Sequence, residues 1–325
     1  MLVCRCLLLV GFLSQAAVVC AEDLHIATYN IENLHDAVDD PKKEDFDRTK
    51  WDAEKLAIKC KNLAAVIQAM NTGKGPDILG LAEVENRAVV ELMVSKIKLP
   101  AREYKVVHYD SPDERGIDVA IVYDAKALKL AAEKIHPVTI QTTRDILEAK
   151  FTWGTDVLYV MMNHWPSLNN PETDRIAAAK ILRTRLDEIL RGEPAADIVC
   201  MGDFNEKLPT DPAIQDALRS TLDVTAAKDG VLLNTGGPLL ASKDRGTYVY
   251  RNEWGVLDHI LVSPGLLGGK GVVWKKDSTR ELREPKLLTA GKETQIPKPH
   301  ATYSGNNFDP TGISDHLPLE CLLTK

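Results

Sequence analysis

The chain contains little that would cross-link it or anchor it in a bilayer. Only six of its 325 residues are cysteine. None falls in a CxxC or Cys/His spacing, which argues against a zinc knuckle or a disulfide framework. Cys4, Cys6 and Cys20 lie in the first 21 residues, and Cys60, Cys200 and Cys321 stand alone in apolar stretches, as buried free thiols do. Aromatic residues make up 6% of the chain. No Gly/Ser- or Pro-rich linker and no internal repeat divides it, so a single domain over 22–325 is expected. Positive charge is in deficit too. The formal net charge of −7 lacks the basic footprint of a tight duplex-DNA binder. It leaves room for an enzyme that holds a phosphate with a metal ion and a few local cations. The apolar run Leu7–Leu13 is too short to span a membrane. It follows Arg5 and precedes the small-residue site Val19-Cys20-Ala21, the layout of a secretory leader cut before Glu22. The expectation is a signal peptide over 1–21 and a periplasmic or extracellular protein, with no stable membrane span.

What the chain does have is a series of polar residues closing apolar runs. They occur in TYNIEN (28–33), LAEVEN (81–86), RGIDVAIVY (115–123), NHWPS (163–167), MGDFN (201–205), LDHI (257–260) and ISDHLP (313–318). A strand that ends in Asp, Glu, Asn or His delivers that side chain to the rim of a sheet, where loops build sites. Seven such endings, rich in oxygen and imidazole donors, point to hydrolysis at a hard-metal centre. Strand patterns recur throughout. Two helices are expected from apolar residues every three or four positions, one through Leu56, Cys60, Leu63, Ile67 and Met70, the other through Ile176, Ala179, Leu182, Leu186 and Ile189. The segment 265–313, with Gly268-Gly269 and Pro297-Lys298-Pro299, reads as a long substrate-shaping loop.

The order TYN, LAEVEN, NHWPS, GDFN, LDHI, SDH resembles that of the endonuclease/exonuclease/phosphatase superfamily, from about Leu24 to Leu323. The resemblance implies an α/β fold, a four-layer α-β-β-α sandwich of two packed central sheets with outer helices. It also implies a Mg²⁺ or Mn²⁺ cofactor and a role for each matching residue. Glu83, Asn30 and Asp315 match metal-side positions, and Glu32 a position often acidic in relatives. Asp203 and Asn205 match the pair that orients phosphate and water. His316 matches the general base, and Asp258 the carboxylate that fixes its tautomer. His164 and Asp118 form a second expected pair, supporting the leaving oxygen. Asp118 would be costly in an apolar strand unless so paired. Arg115 is a candidate phosphate clamp, and Asn163 is expected to help line the site.

The expected function is phosphodiester hydrolysis by an activated water, with nucleic acid as substrate and the monomer as working form. Two alternatives stand beside it: a phospholipid or inositol-phosphate hydrolase with the same chemistry, and a catalytically silent binding module on the same fold. The silent module should have lost at least one of Glu83, Asp203, Asp258 or His316, and all four are present.

Overall fold

In the computed structural model, residues 23–38, 51–140, 143–209, 212–269, 271–289, 295–304 and 307–325 are described. The leader expected over 1–21 lies outside them.

Period-two apolar runs become two seven-stranded mixed sheets. The first is centred on β1 (Asp23–Leu34), β2 (Ile78–Val84), β3 (Tyr104–His108) and β4 (Asp118–Asp124). Across it the order runs β3, β4, β2, β1, then the strand Leu319–Thr324. The second holds β5 (Lys129–His136), β6 (Ile146–Trp153), β7 (Asp156–His164) and β8 (Asp197–Asp203), continuing to the strand Asp258–Val262. β1 and β2 are parallel, as are β7 and β8, and most other neighbours are antiparallel.

The sheets pack face to face through residues such as Ile26, Ile121, Met162, Met201 and Ile260. Their outer faces carry the helices. Helix α1 (Ala53–Gly73) and helix α2 (Arg87–Val94) cover the first sheet, and α3 (Glu172–Gly192) covers the second. This is the expected four-layer arrangement. Asp52 caps α1 by accepting the Lys55 amide at 2.9 Å. Helical geometry fails where Asn71-Thr72-Gly73 predicts a stop: Met70 leaves the helical region, and Asn71 and Thr72 both take φ 52°. Both long helices thus form where the periodicity places them.

Two elements differ from expectation. β5 is an edge strand whose KLAAEKIH sequence is mostly exposed, so no alternation marks it. The 265–313 stretch is also more than a loop. Val273–Trp274 and Arg280–Glu281 pair with the strand Leu319–Thr324, while Leu287 and Ile313 enter the core beneath α1. Cys60, Cys200 and Cys321 are buried and free.

Candidate functional site

Strand parity gathers the site. Side chains alternate between faces, so Asn30 shares the inward face of Ile26, His164 that of Met162, Asp203 that of Met201 and Asp258 that of Ile260. All four emerge between the sheets at one rim. Asp203 is the hub of the second sheet, registered with His164 on one side and with Asp258 on the other.

Glu83 reaches the same rim through an irregularity. Ala82 faces the inter-sheet core and Val84 the helix side, so the alternation breaks between them. Glu83 there has φ 67°, and β2 shifts register against both neighbours. Such a bulge re-aims one side chain. The Glu83 carboxylate accepts from Asn30 Nδ2 at 3.3 Å and from the Asn33 amide at 2.9 Å.

Asn30 ties the sheets together, because its Nδ2 also donates to Asp203 Oδ2 at 3.0 Å. His164 Nε2 lies 3.8 Å from both Glu83 Oε1 and Asp203 Oδ2. Burial, with Arg144 and Arg115 nearby, holds that imidazole well below the usual histidine range, hence neutral.

His316 is buried, and its Nδ1 meets Asp258 Oδ2 at 2.7 Å. Its Nε2 is 3.8 Å from Asp203 Oδ2, and Tyr248 packs on the ring at a centroid distance of 4.8 Å. Burial pushes its pKa down, but the carboxylates of Asp258, Asp203 and Asp315 outweigh that and hold it well above the ordinary value. Thr247 and Ser314 fix the two partners. The Thr247 hydroxyl accepts from the Asp258 amide at 3.2 Å, and the Ser314 hydroxyl accepts from the His316 amide at 3.1 Å while donating to the Asn30 carbonyl at 2.7 Å.

The other end of the site is acidic. Burial, with Glu32 and Glu83 nearby, pushes the Asp315 carboxyl up to about 7 despite His316. Burial and Asp258 likewise push Asp203 up to about 6. Asp203 and Glu83 bridged by the Asn30 amide, with Asp315 beyond, offer hard oxygen donors of the kind that suit Mg²⁺ or Mn²⁺. Glu83, Asn30 and Asp315, with Glu32, are the residues expected to hold such an ion, while among the described residues Asp203, Asp258 and His316 bring ligand atoms within 4.8 Å of one another. Among the described residues Asp258 Oδ1, on the His316 side, is buried without a hydrogen-bond partner.

Three expected site residues sit differently. Asp118 does not meet His164. It pairs in register with Val84, and its neighbours Ala120 and Val122 face the helices, so it projects from the opposite face of the first sheet. There Asp118 Oδ2 contacts His108 Nε2 at 3.2 Å, and Oδ1 accepts the Ser111 amide at 2.8 Å and the Ser111 hydroxyl. The burial cost anticipated for Asp118 is thus offset by His108 and Ser111. Asn163 is fully buried behind the rim. Its amide donates to the Met161 and Met201 carbonyls and accepts from the Trp165 indole, leaving nothing for a substrate. Asn205 leaves the extended conformation at φ 51°, donates its amide N–H to Asp203 Oδ1 at 2.8 Å and its side chain to the Trp165 carbonyl at 3.0 Å. It therefore braces the loop beside Asp203.

Arg115 stands at a turn, 47% exposed, 3.8 Å from Asp113 Oδ1. Its companion Arg144 belongs to none of the polar motifs. Arg144 is buried, donating to Asp113 Oδ2 at 2.9 Å and to the same Trp165 carbonyl at 2.7 Å. Arg144 lies two residues before β6, outside its apolar run and outside every polar motif, so nothing in the sequence singles it out. Arg175 is also structural, bonded to Glu206 and to the carbonyls of Ser167 and Asn170. His259, one residue past Asp258, faces away from the cleft and contacts the Glu206 carbonyl at 2.7 Å.

Comparison with known proteins gives a consistent answer. The sequence profile of the Endonuclease/Exonuclease/phosphatase family matches residues 25–325. Among solved structures, a humanized D. rerio TDP2 is similar over 93% of this chain and 99% of its own, at 18% identity and a TM-score of 0.59. D. rerio TDP2 complexed with a single-strand DNA product is similar over the same shares, at 17% identity and a TM-score of 0.57. A Bacteroides thetaiotaomicron mannosyl-6-phosphatase is similar over 92% of this chain and 99% of its own, at 16% and 0.55. At these identities the likeness shows the fold. No curated protein matches by sequence.

Proposed function

The chain belongs to the endonuclease/exonuclease/phosphatase family, and from that premise we propose that it is a divalent-metal-dependent phosphodiesterase acting on nucleic acid by in-line attack of water. One observation carries the reading. A histidine oriented by a buried carboxylate, His316 on Asp258 at 2.7 Å, faces the same small cleft as an acidic, asparagine-bridged donor set.

The chemistry divides between the two ends. A bound Mg²⁺ or Mn²⁺ would neutralise charge on the phosphoryl oxygens as the reaction proceeds. At the other end His316 Nε2 takes a proton from the attacking water. The Asp258 contact at Nδ1 holds the tautomer that leaves Nε2 free and stabilises the imidazolium that forms. His164, kept neutral, donates from Nε2 to a phosphoryl or leaving oxygen. Asp203 orients the water between the two histidines, each 3.8 Å away. Arg115 meets the flanking phosphate from its exposed turn.

Nucleic acid is favoured because a structural neighbour was captured with a single-strand DNA product. Phosphomonoester hydrolysis is the second reading, favoured by the mannosyl-6-phosphatase neighbour. Both use the same residues and differ in how the cleft is walled. We also propose that the protein is exported after removal of residues 1–21 and works as a monomeric single domain.

The test is turnover by the chain from Glu22 onward on plasmid DNA, RNA, sphingomyelin, an inositol phosphate and a sugar 6-phosphate, with and without EDTA. EDTA-sensitive cleavage of DNA or RNA is expected. Cleavage of a monoester alone would move the substrate to the second reading. Absence of turnover on every substrate would overturn the proposal.

A further inference from the structure

Lys59 is a buried lysine behind the acidic end of the cleft. It occupies a position on α1 that would ordinarily be apolar, and its side chain is 1% exposed. Ammonium groups are rarely so buried without compensation. Its Nζ donates to the Thr302 hydroxyl at 2.6 Å and to the Ile313 carbonyl at 3.4 Å. Those contacts lead directly into the cleft. The Thr302 amide donates to Glu32 Oε2 at 2.5 Å, and Ile313 is two residues before Asp315. One ammonium thus grips both chain segments that bear on the metal-side carboxylates. Burial holds the amine below the ordinary lysine value, and the charges that oppose this and favour the ammonium are Glu32, Asp315 and Glu83.

These carboxylates offer more negative charge than one divalent ion cancels. Two adjacent cations would ordinarily be drawn to such a set. We infer that Lys59 is a positioning residue that serves as a built-in second cation, holding Glu32 and the Asp315 segment together so that the cleft takes one divalent ion. The inference rests on the proposed function only in placing the ion at Glu83 and Asp315. The amine touches neither substrate nor the attacked phosphorus and acts through Thr302 and the chain at Ile313.

The two roles open to a buried lysine predict opposite results. A merely structural peg, once removed, loosens the loop and weakens ion binding. A resident cation, once removed, leaves the site one charge more negative and strengthens it. The experiment is Mn²⁺ binding by electron paramagnetic resonance on the full mature chain, comparing wild type, K59M and E83Q. Methionine keeps the length of the side chain without its charge. The wild type should bind one Mn²⁺ that E83Q loses. K59M should bind a second ion, or the first about tenfold or more tightly, as expected for removing a nearby positive charge from a screened site.

Weaker or unchanged binding by K59M overturns the inference and leaves the proposed function standing. Two ions bound by the wild type overturn it whether or not K59M folds. A wild type that binds none overturns both. T302V offers a second route: it removes the hydroxyl that receives the ammonium while leaving the charge present, so it should keep the stoichiometry at one. A second ion in T302V would also overturn the inference.

Discussion

His108, and not His164, is the histidine that faces Asp118, with Nε2 and Oδ2 3.2 Å apart on the helix-covered side of the first sheet. The two histidines therefore belong to separate networks. Double-mutant cycles should show D118N and H164A to be additive in their effect on kcat/KM, while D118N and H108A couple in unfolding free energy by about 0.5–3 kcal/mol. Strong kinetic coupling between Asp118 and His164 would return Asp118 to the cleft.

Asp258→Asn should lower kcat by about 10²–10⁴-fold, the scale of losing an oriented general base. It should also move the acidic limb of the pH–rate profile. Base catalysis requires His316 unprotonated, so activity rises as pH passes its pKa, which Asp258 and its neighbours hold well above the usual value. Removing the largest raising influence lowers that pKa, so the limb shifts to lower pH. A limb that stays in place would mean another group sets it.

Glu83→Gln should raise the Mg²⁺ concentration needed for half-maximal rate and abolish the EDTA sensitivity of thermal unfolding. It leaves the bulge intact, because the strained residue at φ 67° is still not β-branched. Unchanged metal titration and melting curves would remove Glu83 from the ion.

Glu148 tests the scaffold away from the chemistry. Burial raises its pKa, but hydrogen bonds from Arg185 and His136 more than reverse this and bring it to about 2. Because the folded value lies below that of the unfolded chain, this stabilisation is complete above the ordinary glutamate range. It fades as pH falls from about 4.5 toward 2. E148Q should flatten the stability loss in that window and cost about 1–3 kcal/mol at neutral pH, because His136 loses its charged partner while Arg185 keeps Glu188. Urea unfolding at several pH values would check both points, and parallel wild-type and mutant curves would refute the linkage.

Gly202 should tolerate no side chain. Its φ is 140°, and a Cβ would lie 1.9 Å from the Asn163 carbonyl oxygen. Gly202→Ala should cost several kcal/mol and part β7 from β8 where His164 and Asp203 meet, abolishing turnover. A folded, active G202A would contradict the register seen here.

Much of this architecture is legible in sequence because strand endings are local. Asn30, Asp203 and Asp258 announce themselves by ending or opening apolar runs of the right parity. The rest depends on backbone departures and distant partners. Glu83 sits on the wrong face by simple alternation and reaches the cleft through a bulge. Asp118 reads as the partner of His164, whereas it faces His108, and the sequence offers several histidines with no way to choose among them. Lys59 looks like one more charged position on an amphipathic helix, because its partners Thr302 and Ile313 lie more than 240 residues away in sequence. β5 is invisible because an exposed edge strand carries no hydrophobic pattern.

The pairing of β1 with the strand Leu319–Thr324, in which Asp23 lies opposite Thr324, joins segments from opposite ends of the described residues. Asn30 lies on one of these segments and His316 just before the other, so the candidate site forms only once this long-range pairing is made, which local contacts alone cannot achieve.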